Sequence, residues 1–329
     1  MSIMNLLKPI NLSTKMISVH YSNYKSFLDI HSESILEYCN TTAVKYRTKK
    51  LDALVKKHFV SLVSDFESLL KASPEKLYEI KTYFDTLTLA EREIIKEDFN
   101  LKTLYNYFIQ GIYDNKKLSI KYSSSYLADN LNIFTCPYCN ENFTYSFRYK
   151  AGVNPVRRTF DWDHIYSKTD YPFLAISFFN LIPCCKVCNF IKLDQNIDFF
   201  NPHLNINVNN SYFFLLNPTG AGFITDTSKL ELNLVLTKSK YKEEFKNSIS
   251  TIGLLDRYRT HKEIIKDILN KQRMYPLSYI SAISNKIPLT DKPILSQLRA
   301  TLYGNNFNHQ YYYKRPFSKL TFDILNYKL

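Results

Sequence analysis

Apolar residues recur at helical spacing along most of this chain and switch to strict alternation in two short stretches. Leu51, Leu54, Val55, Phe59, Leu62, Val63, Phe66, Leu69 and Leu70 share one helical stripe. Ser73-Pro74-Glu75 then reads as a helix start, with serine as N-cap and proline at the first helical position, where its missing N–H costs nothing. Thr88-Leu-Ala-Glu91 has capping-box spacing. These signals predict roughly four to six helices within residues 1–130 and no visible chemistry there.

The pattern changes near residue 131. Phe143, Tyr145, Phe147 and Tyr149 alternate, Gly152 to Pro155 supplies a turn, and Val156 to Trp162 is a second β-rich run. The prediction is a hairpin whose second strand delivers Asp163 and His164. Phe173 to Phe179 forms an apolar stretch leading to Asn180, and a helix is expected to begin near Cys185 or Lys186. Beyond it, Tyr212 to Leu216 and Phe223 to Ile224 flank Asn217-Pro-Thr-Gly220, a hairpin-like signal. Leu230, Leu232, Leu234 and Leu236 alternate as in a half-buried strand. From Tyr241 the spacing is helical again, through Leu254, Leu255, Tyr258, Ile264, Ile265 and Ile268. With six glycines and no Ser/Gly linker, the chain reads as one packed α+β body, mostly helical, divided into a helical region 1–130, a distinct segment 131–204 and a mainly helical region 205–329.

Composition narrows the function. At 45% hydrophobic and 22% charged residues the chain has an ordinary globular make-up. No apolar run reaches the ~18–20 residues of a membrane span, and residues 1–20 carry no secretory pattern, so the expected setting is cytoplasmic, without a membrane partner. A net charge of +13 points to an anionic partner such as nucleic acid. The excess is uneven. Residues 205–329 hold eighteen Lys/Arg against nine Asp/Glu, a net of +9, whereas 131–204 hold seven against six. The expectation is a nearly neutral chemical centre beside a C-terminal third that grips phosphates. The abundant Tyr and Phe read mostly as core and hairpin filler and not as an RNA-stacking platform, with a few stacking roles left open.

Five of the six cysteines cluster: Cys136 and Cys139, then Cys184, Cys185 and Cys188. Two Cys-x-x-Cys turns are a common way to present four thiolates to a tetrahedral structural Zn²⁺, and reduced thiols fit a cytoplasm. Cys185 has the matching gap to Cys188, although the adjacent Cys184 competes for the role. Cys39 reads as a small buried apolar residue. Between the turns lie Asp163-His164 and Asn180, and Asn189 directly follows the last thiol. Phosphodiester hydrolysis needs a base to activate water and a cation to stabilise charge on phosphate. A neutral imidazole suits the first role, so His164 is the candidate base. Asp163 and the side-chain oxygen of Asn189 are hard ligands suited to Mg²⁺ or Mn²⁺. Asn180 is placed to hold the histidine loop by hydrogen bonds. Asp161 either completes the metal shell or anchors the strand, and His203 either approaches the phosphate or is a satisfied loop histidine.

Asp163-His164, Asn180 and Cys185-x-x-Cys188-Asn189 resemble the HNH endonucleases of the His-Me (ββα-metal) finger superfamily, in the form with a four-cysteine zinc site. Asp161-Trp-Asp-His-Ile-Tyr-Ser-Lys168, Tyr171-Pro-Phe-Leu-Ala-Ile-Ser177 and Asn180-Leu-Ile-Pro183 are similar, more closely, to the HNH nuclease subunit of Septu-type anti-phage systems and retron-linked relatives. The similarity extends more loosely through Leu255-Asp-Arg-Tyr258 with His261-Lys262, and through Arg315 to Leu320 with Asp323-Ile324. The resemblance implies an embedded ββα-metal finger over 131–204, stapled by zinc and followed by a small β-hairpin. It implies His164 as base, Asp163 and Asn189 as magnesium ligands, and Asn180 as the loop-orienting residue. Asn189 stands where the family name has histidine, which favours a hard ion. An ABC/SMC-like ATPase partner is also implied, and since the chain contains no P-loop, ATP use would lie in that partner. DNA is the default substrate and RNA, such as tRNA, the alternative. The competing reading is a non-catalytic zinc-finger module that binds nucleic acid or scaffolds a complex, which would need the cysteines but not His164.

Overall fold

The computed structural model describes residues 16–22, 66–98, 101–102, 105–106, 109, 124–148, 156–193, 195, 197–204, 208–223, 226–287 and 295–326. The expectations for Leu51 to Val63, for Cys39, and for Tyr149 and the Gly152–Pro155 turn lie outside these residues. Among the described residues the chain is a mostly helical α+β protein with three two-stranded antiparallel sheets.

Residues 16–22 are helical, and α1 (Phe66–Lys71), α2 (Pro74–Asp85), α3 (Leu89–Asp98) and α4 (Ser124–Leu131) follow. Local chemistry sets two of these starts as read. The Ser73 hydroxyl accepts the Lys76 N–H at 3.2 Å ahead of Pro74. Thr88 and Glu91 exchange the reciprocal bonds of a capping box, at 3.0 and 3.3 Å.

β1 (Ser146–Arg148) pairs with β2 (Val156–Arg158), as the alternation predicts. The strand carrying the candidate site departs from prediction. β3 (Phe160–His164) pairs with β4 (Leu181–Cys185), in register from Phe160 opposite Cys185 to His164 opposite Leu181, and not with the Phe143–Phe147 run. The chain breaks register at Thr159, so β2 and β3 belong to different sheets. Both β3 and β4 are buried almost throughout, and a strand covered on both faces loses the alternation that would betray it in sequence. The apolar stretch before β4 folds as two 3-10 turns, Pro172–Leu174 and Phe178–Asn180. From β4 the chain enters α5 (Lys186–Lys192), whose N-cap is Cys185.

β5 (Tyr212–Pro218) corrects a second expectation. Its partner is β6 (Leu230–Leu236) and not the Phe223 segment, with Tyr212 opposite Leu236. The leucine run offers seven paired residues where the nearer segment offers two, so the longer ladder wins despite its longer loop. Helices α6 (Lys242–Thr251), α7 (Leu254–Arg259), α8 (Lys262–Met274), α9 (Leu277–Lys286), α10 (Leu295–Tyr303) and α11 (Ser318–Asn326) follow among the described residues.

One apolar cluster draws on all three sequence regions, from Met16 and Leu70 through Phe173 and Ile182 to Tyr258 and Leu320. The C-terminal region is fastened directly to the first cysteine turn. Asn140, at φ 50°, receives the Phe317 N–H on its carbonyl at 2.7 Å and the Lys319 N–H on its side chain at 3.1 Å. Lys319 pairs in turn with Asp323, both fully buried. No helix among the described residues is long and apolar enough to cross a membrane.

Candidate metal centre and active site

The two Cys-x-x-Cys turns meet. The thiol sulfurs of Cys136, Cys139, Cys185 and Cys188 all lie within 4.8 Å of one another and are buried, and none is in a disulfide. Soft donors at this spacing suit a tetrahedral ion such as zinc. Of the two adjacent cysteines, Cys185 joins the cluster; Cys184 is buried on β4 opposite Asp161. Donors surround the sulfurs. The Cys188 N–H points to Cys185 Sγ at 3.4 Å, Asn142 Nδ2 to the same sulfur at 3.6 Å, and Arg257 Nη1 to Cys188 Sγ at 3.3 Å. Hydrogen bonds from Cys136, Cys139 and Cys188 hold the Cys185 thiol low, while burial pushes Cys136 well up. The four therefore cannot all ionise without a cation between them.

Arg257 is a site residue that the sequence reading misses, although it lies in the Leu255-Asp-Arg-Tyr258 stretch. It also pairs with Glu141, which receives His261 at 3.0 Å, and the Tyr258 hydroxyl donates to the Cys139 carbonyl. Four thiolates on one Zn²⁺ leave a net charge of −2, which a guanidinium at 3.3 Å offsets. Arg257→Met is expected to weaken zinc affinity about 10–100-fold while leaving the four cysteines in place. Competition against a chromophoric chelator reads this directly, and an unchanged affinity would remove Arg257 from the site.

His164 ends β3 and is buried, 6% exposed. Its Nε2 lies 2.9 Å from the Ala175 carbonyl, and the Tyr105 ring meets it edge-on at 4.5 Å. A carbonyl only accepts, so Nε2 carries the hydrogen and Nδ1 keeps the lone pair. Burial lowers the imidazole to about 4, so it is neutral at physiological pH. Asn180 is fully buried and clamps the loop behind it. Its Oδ1 accepts the Tyr166 N–H at 2.8 Å, its Nδ2 donates to Leu174 O at 2.9 Å and Tyr166 O at 3.2 Å, and its own carbonyl accepts the Ile165 N–H.

Around Asp163 the arrangement differs from the expected magnesium shell. Adjacent strand residues face opposite sides, so the Asp163 and His164 side chains diverge. Asp163 Oδ2 accepts the Tyr138 hydroxyl at 2.6 Å and the Lys192 ammonium at 2.8 Å. Lys192, also buried, donates to the His164 carbonyl as well. Asn189 is half-buried on the same helix and makes no hydrogen bond to Asp163 or His164. The α5 residue that reaches the aspartate is thus Lys192, three positions on. Its charge balances the carboxylate, and the side chains as placed do not form a cage for a hard cation. Asp161 sits on the Asp163 side of β3, half-buried. His203 is remote from solvent: Nε2 meets the Leu181 carbonyl at 3.0 Å, Phe178 and Phe179 pack on the ring, and Nδ1 has no hydrogen-bond partner among the described residues.

Compared with protein-family models, with curated proteins and with solved structures, the chain matches none significantly. The functional reading therefore rests on the site itself and on the sequence resemblance. Tyr138, Lys192 and Arg257 are additions to the predicted set. The sequence signal for Lys192 is no more than a cation on the helix carrying Cys188 and Asn189, and nothing local distinguishes it from Lys186.

Proposed function

We propose that this protein is an endonuclease of the HNH type, hydrolysing phosphodiester bonds in DNA by default, with RNA such as tRNA as the alternative substrate. The supporting observation is the β3–β4–α5 succession, whose β4–α5 junction the four-cysteine cluster ties to the Cys136–Cys139 turn, with a neutral histidine whose Nδ1 bears the lone pair. In this reading His164 takes the proton of the attacking water. The carbonyl contact at Nε2 fixes which nitrogen does so, and Asn180 holds the loop that supplies that carbonyl. A basicity near 4 keeps the lone pair available at pH 7 but makes a weaker base than an exposed imidazole. A divalent ion, Mg²⁺ or Mn²⁺, would stabilise charge on the phosphate. Asp163 and Asn189 are its ligands by the resemblance, but the Lys192 pairing leaves no step assignable to that ion. By the same resemblance the protein serves as nuclease effector of an anti-phage system with an ABC/SMC-like ATPase.

The low exposure of His164 and the self-neutralised Asp163–Lys192 pair favour a second reading, a non-catalytic zinc-finger module that binds nucleic acid. Nicking of supercoiled plasmid and cleavage of total RNA, each with Mg²⁺, Mn²⁺ or chelator, separates the two. The nuclease reading expects divalent-dependent cutting that His164→Ala lowers about 10²–10⁴-fold. Because His164 is buried, that variant also orphans the Ala175 carbonyl, so retained zinc and a folded thermal transition are required controls. Cutting by His164→Ala at the wild-type rate would end the assignment of the base.

A further inference from the structure

We propose that the solvent face of the β1–β2 sheet, with the segment that leads into β1 from Phe143, is a binding strip for single-stranded nucleic acid, on which unpaired bases stack. This extends the nucleic-acid part of the reading above and is independent of catalysis. Phe143, Tyr145 and Phe147 are 53%, 43% and 44% exposed, against the expectation that the aromatics fill the core and hairpin. Their alternation puts all three on one face. The other face is the packed one: Thr144 is buried, and Arg158 reaches Ser124 of α4. A hairpin facing water on one side ordinarily places polar residues there, so packing does not account for these three rings.

The rings form a regular ladder. Centroids are 6.3 Å apart from Phe143 to Tyr145 and 6.2 Å from Tyr145 to Phe147, with planes inclined by 70° and 52°. None is stacked flat on the next, which leaves π-faces for other partners. Directly across from Phe147 the register places Arg157, exposed on the same face. A cation among flat rings is the combination that binds single strands: bases stack on the aromatics and the phosphates meet the charge. The net charge of +13 provides complementarity over the whole molecule.

Size argues against a protein partner. Three aromatic side chains at about half exposure offer about 300 Å², well below the ~800 Å² per partner of a stable protein interface. It matches the two or three bases that a sheet face holds by stacking. The strip is also joined to the candidate site along the chain. Phe143 follows the Cys136–Cys139 turn, and β2 runs through Thr159 directly into the strand bearing Asp163 and His164.

The test is fluorescence anisotropy of the full-length protein with labelled oligothymidylate and with a duplex of equal length. No divalent cation is added, so the outcome does not depend on cleavage. Replacing all three rings by alanine is expected to weaken single-strand binding by about 30-fold or more and duplex binding by less than about threefold, since duplex bases are not free to stack. An adenine-analogue fluorophore in the oligonucleotide should be quenched on the wild type and not on the variant. Replacing the rings by leucine keeps apolar area and removes the π-face, and it should lose binding as alanine does. The three residues are exposed, so the variants are expected to fold with unchanged zinc content. The proposal is overturned if the wild type binds no single strand, if the alanine variant binds as tightly as wild type, or if the leucine variant retains binding. The last result would show that apolar area, and not stacking on the π-faces, holds the strand. A protein that binds as expected but cuts nothing would refute the nuclease reading alone.

Discussion

Stripping the metal from the four-cysteine cluster, or replacing Cys188 by serine, is expected to unfold the middle of this protein and not merely silence it. The four sulfurs join the turn after α4 to the β4–α5 junction, and through Arg257 and Tyr258 to α7. Without an ion, burial opposes ionisation at Cys136 and the turns lose what draws them together. Binding at structural zinc sites of this kind amounts to about 10–16 kcal/mol of folding free energy, more than a typical domain has to spare. Elemental analysis is expected to give about one zinc per chain. Thermal unfolding followed by circular dichroism should show a large loss of transition temperature after chelation, reversed by added Zn²⁺. A zinc-free sample with an unaltered transition, or disulfides among these cysteines, would sink the assignment.

Acidification is expected to be nearly as damaging, between pH 6.5 and pH 4. His20, His164 and His203 are each buried and lowered by burial to about 4 from an ordinary 6.5. Each sits with Nε2 against a backbone carbonyl of one short segment: Ile176, Ala175 and Leu181 respectively. Above pH 6.5 these groups are neutral folded or unfolded and contribute nothing to the pH dependence. As pH falls below 6.5 the unfolded chain takes up protons that the folded chain refuses, so stability falls until the folded groups titrate near 4. Each shift corresponds to about 3 kcal/mol. Asp323 acts in the opposite sense. Burial raises it to about 6, so folding gains as pH drops through that value, offsetting about one histidine. The net expectation is a loss of about 6 kcal/mol across this interval, read as a steep fall in transition temperature from pH 7 to pH 4.5 at saturating zinc. His20→Gln should flatten that slope by about half while leaving the four-cysteine cluster untouched. A transition temperature constant over the interval would show that these imidazoles are hydrated in solution.

Some of this is legible in the sequence because the information is local. Ser73-Pro74 and Thr88–Glu91 start helices through groups three residues apart, and two-residue gaps aim paired thiols at one point. Asn180 can be read as a loop clamp because an amide that must satisfy three or more bonds near a histidine has few other uses. Residues whose partner lies far along the chain are read less well. Sequence pattern gives β3 the wrong partner because β3 and β4 are buried on both faces, which removes the period that would have paired them. Alternation shows that Phe143, Tyr145 and Phe147 share a face, but not that the face meets water.

What the sequence by itself determined is the set of donors and their spacing: four thiols in two turns, an Asp-His pair between them, and a basic C-terminal third. Tertiary structure alone decided the state of those groups. It put Lys192 and Tyr138 on Asp163, Arg257 beside Cys188, and three neutral histidines against one stretch of backbone. The physical reason is that periodicity and spacing record which side chains lie together on an element. Burial, counter-charge and proton affinity depend on what another element, from 11 to 156 residues away in these contacts, brings up against them.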